Sequence, residues 1–248
     1  MDFPDILILV SIPIVVIAVL LWYIRKQARE FHRRLTEIIS PQVQRNDVIA
    51  SAHAAALLSA RFPQAYMPVS NFTMNPVNLQ ALLARIETVR PSLIVEVGCG
   101  ESTLVIASAA RSWGGRVMSF EEDNQWLELC RHHVKAAELS AVVDLNQLNA
   151  PQDISQIVRD YAGPGGLCDF LIIDGPYDPS LRGAREEVAL AFREVLAPNA
   201  TIYLDDTRRL LEQNLLDRLS AEFREARVED RYSSTGFAFV SLRSGESA

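Results

Sequence analysis

The twelve residues from Leu93 to Leu104, LIVEVGCGESTL, limit the possible folds more than any other stretch of this chain. An apolar run suited to a strand leads into Gly98-Cys99-Gly100-Glu101-Ser102 and then into residues that suit a helix. Glycines let a backbone turn sharply and approach a ligand closely, and the first turn of a helix leaves N–H groups without intrahelical partners. A strand, a glycine turn and a helix in this order belong to an α/β sheet, and the free N–H groups suit a nucleotide-like ligand. Ser102 and Thr103 have a plainer alternative, which is to cap the helix.

From Pro68 onward, short apolar runs alternate with amphipathic stretches, which predicts an open, mostly parallel sheet covered by helices. Strands are expected at Leu93–Val97, Arg116–Phe120, Val142–Asn146, Asp169–Ile173, Thr201–Leu204 and Phe237–Leu242, with Arg227–Tyr232 also extended. Helices are expected near Val77–Thr88, Thr103–Ser112, Gln125–Glu138, Ile154–Tyr161, Arg185–Leu196 and Arg208–Glu225. The two neighbouring extended segments at the end predict an antiparallel edge.

The second strand ends in Met118-Ser119-Phe120-Glu121, about 20 residues past the glycine turn, where a carboxylate can accept hydrogen bonds from ribose hydroxyls. Glu122 and Asp123 follow it, so a solvated acidic turn is the rival reading. A dinucleotide site would require a third glycine, and position 103 is Thr. Glu96 within the preceding strand also fits poorly beside a pyrophosphate.

The N-terminus has a different character. Residues Ile6 to Ile24 carry no charge, and about 19 helical residues at about 1.5 Å each span a hydrocarbon core. This predicts a transmembrane helix over residues 6–24, within an N-terminal segment of residues 1–24. Asp2 and Asp5 precede it, while Arg25, Lys26, Arg29, Arg33 and Arg34 follow it and Trp22 and Tyr23 suit an interfacial belt. The charge asymmetry predicts a single-pass membrane protein with its N-terminus outside and its main domain cytoplasmic. Residues 25–65 read as a juxtamembrane helical stalk able to support a homo-oligomer, and residues 66–248 as the main domain.

Composition narrows the partners. Hydrophobic residues make up 49% of the chain, which excludes a disordered protein, and a net charge of -7 argues against nucleic acid as a partner. Cys99, Cys130 and Cys168 lie far apart without a metal-ligand spacing, so they read as buried free thiols in a reducing compartment.

Four pieces in order carry a family resemblance. They are Val95-Glu96-Val97-Gly98-Cys99-Gly100-Glu101-Ser102-Thr103, Ser119-Phe120-Glu121, Asp169-Phe170-Leu171-Ile172-Ile173-Asp174-Gly175-Pro176 and Ile202-Tyr203-Leu204-Asp205-Asp206-Thr207. With them the chain resembles a class I S-adenosylmethionine-dependent methyltransferase. The resemblance implies a Rossmann-like doubly wound sheet of about seven strands with an antiparallel last strand. It also implies S-adenosyl-L-methionine as cofactor: Glu96 would hold its amino group, Gly98 and Gly100 would lie against its methionine part, and Glu121 would bind its ribose. Cys99, Ser102 and Thr103 complete the turn that would line it. The cofactor has no phosphate and carries a cationic sulfonium and ammonium, so carboxylates around the turn suit it better than they suit a nicotinamide dinucleotide.

Asp174 ends the fourth strand and Asp205 with Asp206 ends the fifth, all facing the crevice at the strands' carboxyl ends. Three carboxylates there suit Mg²⁺ or another divalent cation, which would lower the pKa of an acceptor hydroxyl. The arrangement is similar to that of catechol-type O-methyltransferases, although Asp206 stands where that pattern has Asn and Tyr177 stands about where it has a catalytic Lys. Without a metal, Asp174 or Asp205 would act as general base with Tyr177 positioning the acceptor. The plainer alternatives are that Asp206 or Thr207 caps the following helix and that Asp174 serves a turn.

The expected function is therefore a membrane-anchored methyltransferase acting on an oxygen of a small or membrane-associated acceptor. The alternatives are a noncatalytic cofactor-binding scaffold at the membrane and a nicotinamide-dependent oxidoreductase.

Overall fold

The computed structural model describes residues 26–27, 46–65, 73–149, 151–162, 167–175, 184–223, 227–231 and 233–242. The chain divides into two units, Met1–Ile49 and Ala50–Ala248. In the first, residues 26–27 and 46–49 are helical. The expected membrane helix over residues 6–24 lies outside the described residues, among which no helix is long and apolar enough to cross a membrane.

The second unit opens with α1 (residues 50–61), followed by α2 (Pro76–Val89), β1 (Leu93–Val97), α3 (Glu101–Ala110), β2 (Arg116–Glu121), α4 (Asn124–Ala136) and β3 (Val143–Gln147). It continues with α5 (Pro151–Ala162), β4 (Cys168–Ile173), α6 (Ala184–Ala191), β5 (Leu196–Asp205), α7 (Leu210–Glu222), β6 (Arg227–Arg231) and β7 (Phe237–Ser241). The seven strands run in the order β3-β2-β1-β4-β5-β7-β6. The first five are parallel, and β7 is antiparallel to both of its neighbours. The order reverses between β1 and β4, and ligands of open α/β sheets bind outside the strands' carboxyl ends at such a reversal.

Alternation along the strands builds two cores. Leu93, Val95 and Val97 of β1 face the layer that includes Ile154, Val188 and Phe192, whereas Ile94 faces the layer of α2, α3 and α4. Glu96 is the fourth residue of this five-residue strand and shares the Ile94 side, which places a carboxylate inside a hydrophobic layer. Leu82 and Ile86 of α2 are fully buried there, each contributing about 1.5–3 kcal/mol. Leu58, Phe62 and Ala65, from the end of the segment read as a stalk, join the same core.

Two helix boundaries differ from the sequence expectation. The helix expected to reach Leu196 ends at Ala191, and Leu196 instead starts β5 by pairing with Cys168. The buried Phe192, Val195 and Leu196 mimic a helical stripe, but residues 192–195 form a turn in which the Val195 N–H donates to the Phe192 carbonyl. The helix expected from Arg208 starts at Leu210, because the Thr207 and Arg208 N–H groups donate to the Gly236 and Thr235 carbonyls. Asp206, at φ 60°, is left-handed and caps nothing with its side chain, so the capping alternative for it is corrected.

Candidate active site

The glycine turn is held from three sides. Gly98 has φ +96°, and a Cβ on it would meet the Gly175 nitrogen at 2.9 Å, so only glycine fits. Its N–H donates to the Phe120 carbonyl at 2.8 Å, while the Asp174 and Gly175 N–H groups donate to the Val97 carbonyl at 3.0 and 2.7 Å. The ends of β1, β2 and β4 are thereby locked together, and α3 starts at Glu101 immediately after the turn.

Glu96 explains why Ser and Thr follow the glycines. It has no exposed surface, and its carboxylate accepts hydrogen bonds from the Ser102 hydroxyl at 2.6 Å, the Thr103 hydroxyl at 2.6 Å and the Ser119 hydroxyl at 2.9 Å. Thr103 Oγ1 also accepts the Gly100 N–H at 2.9 Å. Ser102 and Thr103 therefore clamp the first turn of α3 to Glu96, while Gly100 stands at the cap position. In this geometry Glu96 holds the turn from below. Burial pushes its carboxyl up to about 7, against the three hydroxyl bonds that hold it down.

Glu121 joins the tip of β2 to the same turn. It is 8% exposed; one oxygen accepts the Cys99 N–H at 3.1 Å and the other accepts the Asp123 N–H at 2.9 Å. It is therefore a built carboxylate and not part of a solvated acidic turn, and burial raises its pKa. Asp123 caps α4 by accepting the Gln125 and Trp126 N–H groups. The Trp126 indole N–H donates to the Cys99 carbonyl at 2.6 Å, so both sides of Cys99 are fixed. Cys99 itself is buried.

Sequence reasoning passed over two of these residues. Asp123 had a legible signal as a cap ahead of an amphipathic run. Trp126 had none, since its partner lies 27 residues away. A further one is Asn146, opposite Phe120 in the sheet, whose buried side-chain amide nitrogen has no hydrogen-bond partner among the described residues.

The acidic residues do converge: Asp174, Asp205 and Asp206 each offer a carboxylate oxygen within 4.8 Å of the others. Asp205 and Asp206 are 2% and 8% exposed, and Asp174 is intermediate. Asp205 Oδ1 accepts the Asn78 amide at 2.7 Å and the Tyr203 hydroxyl at 3.0 Å. Asn78 also donates to Thr235 Oγ1 at 2.9 Å, which ties α2 and the β6–β7 loop to the end of β5. Burial, then the charge of Asp205, pushes Asp174 up; burial, then the charge of Asp206, pushes Asp205 up. Arg185 and Arg209 both reach Asp206 Oδ2, at 3.5 and 2.8 Å. Tyr177 lies outside the described residues.

An all-oxygen, anionic donor set of this kind fits a hard divalent cation. It also fits a proton acceptor, and two of its oxygens already carry partners. Asn78 and Arg185 were not found from the sequence. Asn78 left a trace, a polar residue beside Leu79 on the buried face of α2.

Comparison with known proteins agrees with this geometry. Residues 95–207 match the sequence model of a family described as a methyltransferase domain. A crystal structure of an O-methyltransferase from Bacillus cereus with bound SAH has 18% identity and a TM-score of 0.56, over 78% of this chain and 90% of that one. The O-methyltransferase TomG from Streptomyces achromogenes, with bound SAM, has 16% identity and a TM-score of 0.53, over 78% and 89%. The SAH-bound methyltransferase PaMTH1 from Podospora anserina has 16% identity and a TM-score of 0.54, over 85% and 96%. No curated protein matches the chain in sequence. This match and the shared fold bear out the resemblance to class I S-adenosylmethionine-dependent methyltransferases.

Proposed function

We propose that the chain transfers a methyl group from S-adenosyl-L-methionine to an oxygen of a small or membrane-associated acceptor. The observation that carries this reading is the pairing of two carboxylate sites across one short turn. Glu121 stands at the glycine turn, and Asp174 stands across the contact between Gly98 and Gly175. The donor set fits the cofactor: carboxylates suit a cationic ligand, and Glu121 at a strand tip suits a ribose. The structural neighbours named for O-methylation support oxygen as the acceptor atom.

When bound, the cofactor supplies an electrophilic methyl group whose sulfur leaves as a neutral thioether. The protein holds acceptor and donor in line, which supplies much of the rate. Asp174 or Asp205 takes the acceptor's proton as its oxygen attacks. Their raised pKa values make each a stronger base than a surface carboxylate. The Asn78 amide and Tyr203 hydroxyl fix Asp205 Oδ1, and so orient the base. A divalent cation held by Asp174, Asp205 and Asp206 would lower the pKa of an acceptor hydroxyl.

The membrane part of the reading rests on the uncharged run at residues 6–24 and its basic flank. Leu210 and Leu211 add to it, being 72% and 56% exposed directly after Arg209, whose N–H donates to the Asp206 carbonyl. Apolar surface at the rim of the carboxylate cluster suits an acceptor with an apolar body. The test is incubation of the full chain in detergent with methyl-labelled cofactor and two acceptor pools, lipid extract and water-soluble hydroxylated aromatics. Label is expected on oxygen in one pool and at least about a hundredfold slower with Asp205→Asn. Label on nitrogen or sulfur alone would refute the acceptor assignment.

A further inference from the structure

The carboxylate cluster is answered from within the fold by a buried cation. Arg185, in the first turn of α6, is 8% exposed, and a guanidinium is rarely so buried unless it is paired. Its Nη2 donates to the Asp174 carbonyl and lies 3.5 Å from Asp206 Oδ2, while its Nη1 lies 3.4 Å from Glu212 Oε1. Glu212 is itself 7% exposed in the first turn of α7. One planar cation thus reaches the end of β4, the end of β5 and the start of α7. The left-handed backbone of Asp206 accompanies this arrangement and presents its carboxylate to Arg185.

We propose that Arg185 is the built-in counter-cation of the cluster, so that the site assembles without metal and binds a divalent ion tightly only when the guanidinium is withdrawn. This inference rests on reading the cluster as the acceptor side of the methyl-transfer site. A guanidinium cannot give up its proton in a protein, so its charge is permanent. A divalent ion on Asp174, Asp205 and Asp206 would sit within a few ångströms of that charge, and the repulsion between the two weakens its binding. Arg209 also pairs with Asp206, but its side chain is 48% exposed and solvent screens its charge. The competition therefore falls on Arg185, and it makes metal-free proton transfer to a carboxylate the default chemistry of the site.

The test is thermal denaturation and calorimetric titration with MnCl₂ on the full chain in detergent, for wild type, Arg185→Gln, Arg185→Lys and Arg209→Gln. Wild type is expected to melt at the same temperature in EDTA and in Mn²⁺. Arg185→Gln is expected to melt lower in EDTA, recover with Mn²⁺, and bind Mn²⁺ at least about tenfold more tightly than wild type. Arg185→Lys and Arg209→Gln are expected to stay close to wild type. A wild-type chain destabilised by EDTA, or an Arg185→Gln chain with unchanged Mn²⁺ affinity, would overturn the proposal. Failure of Arg185→Gln to fold even with Mn²⁺ would overturn it too, because the ion then does not take the guanidinium's place. Binding of S-adenosylmethionine, measured in parallel, separates the two readings. Retained cofactor binding with unchanged Mn²⁺ affinity refutes this inference alone, and absent cofactor binding by wild type refutes the methyl-transfer reading.

Discussion

Replacing Glu96 by Gln should change the pH dependence of stability in a calculable way. Glu96 is fully buried, and burial raises its pKa from an ordinary 4.5 to about 7. A carboxyl raised by folding binds its proton more tightly in the native state, so its contribution to stability falls as pH rises from the unfolded pKa to the folded one. The window runs from 4.5 to about 7, with little further change above it. The full shift corresponds to about 3 kcal/mol, and between about pH 5 and about pH 8 about 2.5 kcal/mol of it is expressed. Gln has no such titration. Its amide oxygen can accept from two of the three hydroxyls, and the third hydroxyl turns to accept from the amide nitrogen.

The assay is urea unfolding of wild type and Glu96→Gln across that range, followed by tryptophan fluorescence. Trp126 reports on the turn directly through its bond to Cys99. Taking the difference between the two proteins removes most of the contributions of Glu121, Asp174 and Asp205, which are raised in the same direction; the charge of Glu96 is only a minor cause of the Asp174 shift. The variant should gain on wild type by about 2.5 kcal/mol from about pH 5 to about pH 8. A pH-independent difference, or one of opposite sign, would refute the assignment of Glu96 as a buried carboxyl whose pKa folding raises to about 7.

Three further outcomes follow from the same geometry. Gly98→Ala should destabilise the domain by about 2–3 kcal/mol in thermal or urea unfolding and abolish cofactor binding, because its Cβ meets Gly175 at 2.9 Å and its φ is +96°. An alanine variant as stable as wild type would contradict this. Trp126→Phe removes the 2.6 Å bond to the Cys99 carbonyl and should cost about 1 kcal/mol, read as weaker cofactor binding with an unchanged circular-dichroism spectrum. The three thiols should resist a disulfide reagent in the native state and react on unfolding, since all are buried and burial pushes Cys168 up to about 12. Fast labelling of any one under native conditions would contradict the packing.

The sheet was legible because its strands are short apolar runs separated by helices of their own period, and the glycine turn marked its first crossover. Strand ends were readable too: Glu121, Asp174 and Asp205 all follow apolar runs, and parallel strands bring such ends to one edge. The residues that escaped notice act over distance. Arg185 is one of 24 basic residues in the sequence, and nothing local distinguishes it; only the fold of α6 against β5 and α7 brings it to Asp206 and Glu212. Asn78 likewise meets Asp205 across 127 residues. The start of α7 falls two residues later than expected because Asp206 and Thr207 look like a cap, whereas the Thr207 and Arg208 N–H groups are committed to the β6–β7 loop. Glu96 was found, but its role depends on three hydroxyls, one of them on a different strand.

Calorimetric titration of the full chain in detergent with S-adenosylmethionine, for wild type and Glu121→Ala, tests the central claim most directly. Wild type is predicted to bind in the micromolar range with one site per chain. The variant is predicted to bind at least about tenfold more weakly while its melting curve stays cooperative, because a charge-assisted hydrogen bond is worth about 1.5–3 kcal/mol. Absence of binding by a folded wild-type chain, or equal binding by the variant, would contradict the assignment of the glycine turn and Glu121 as the cofactor site.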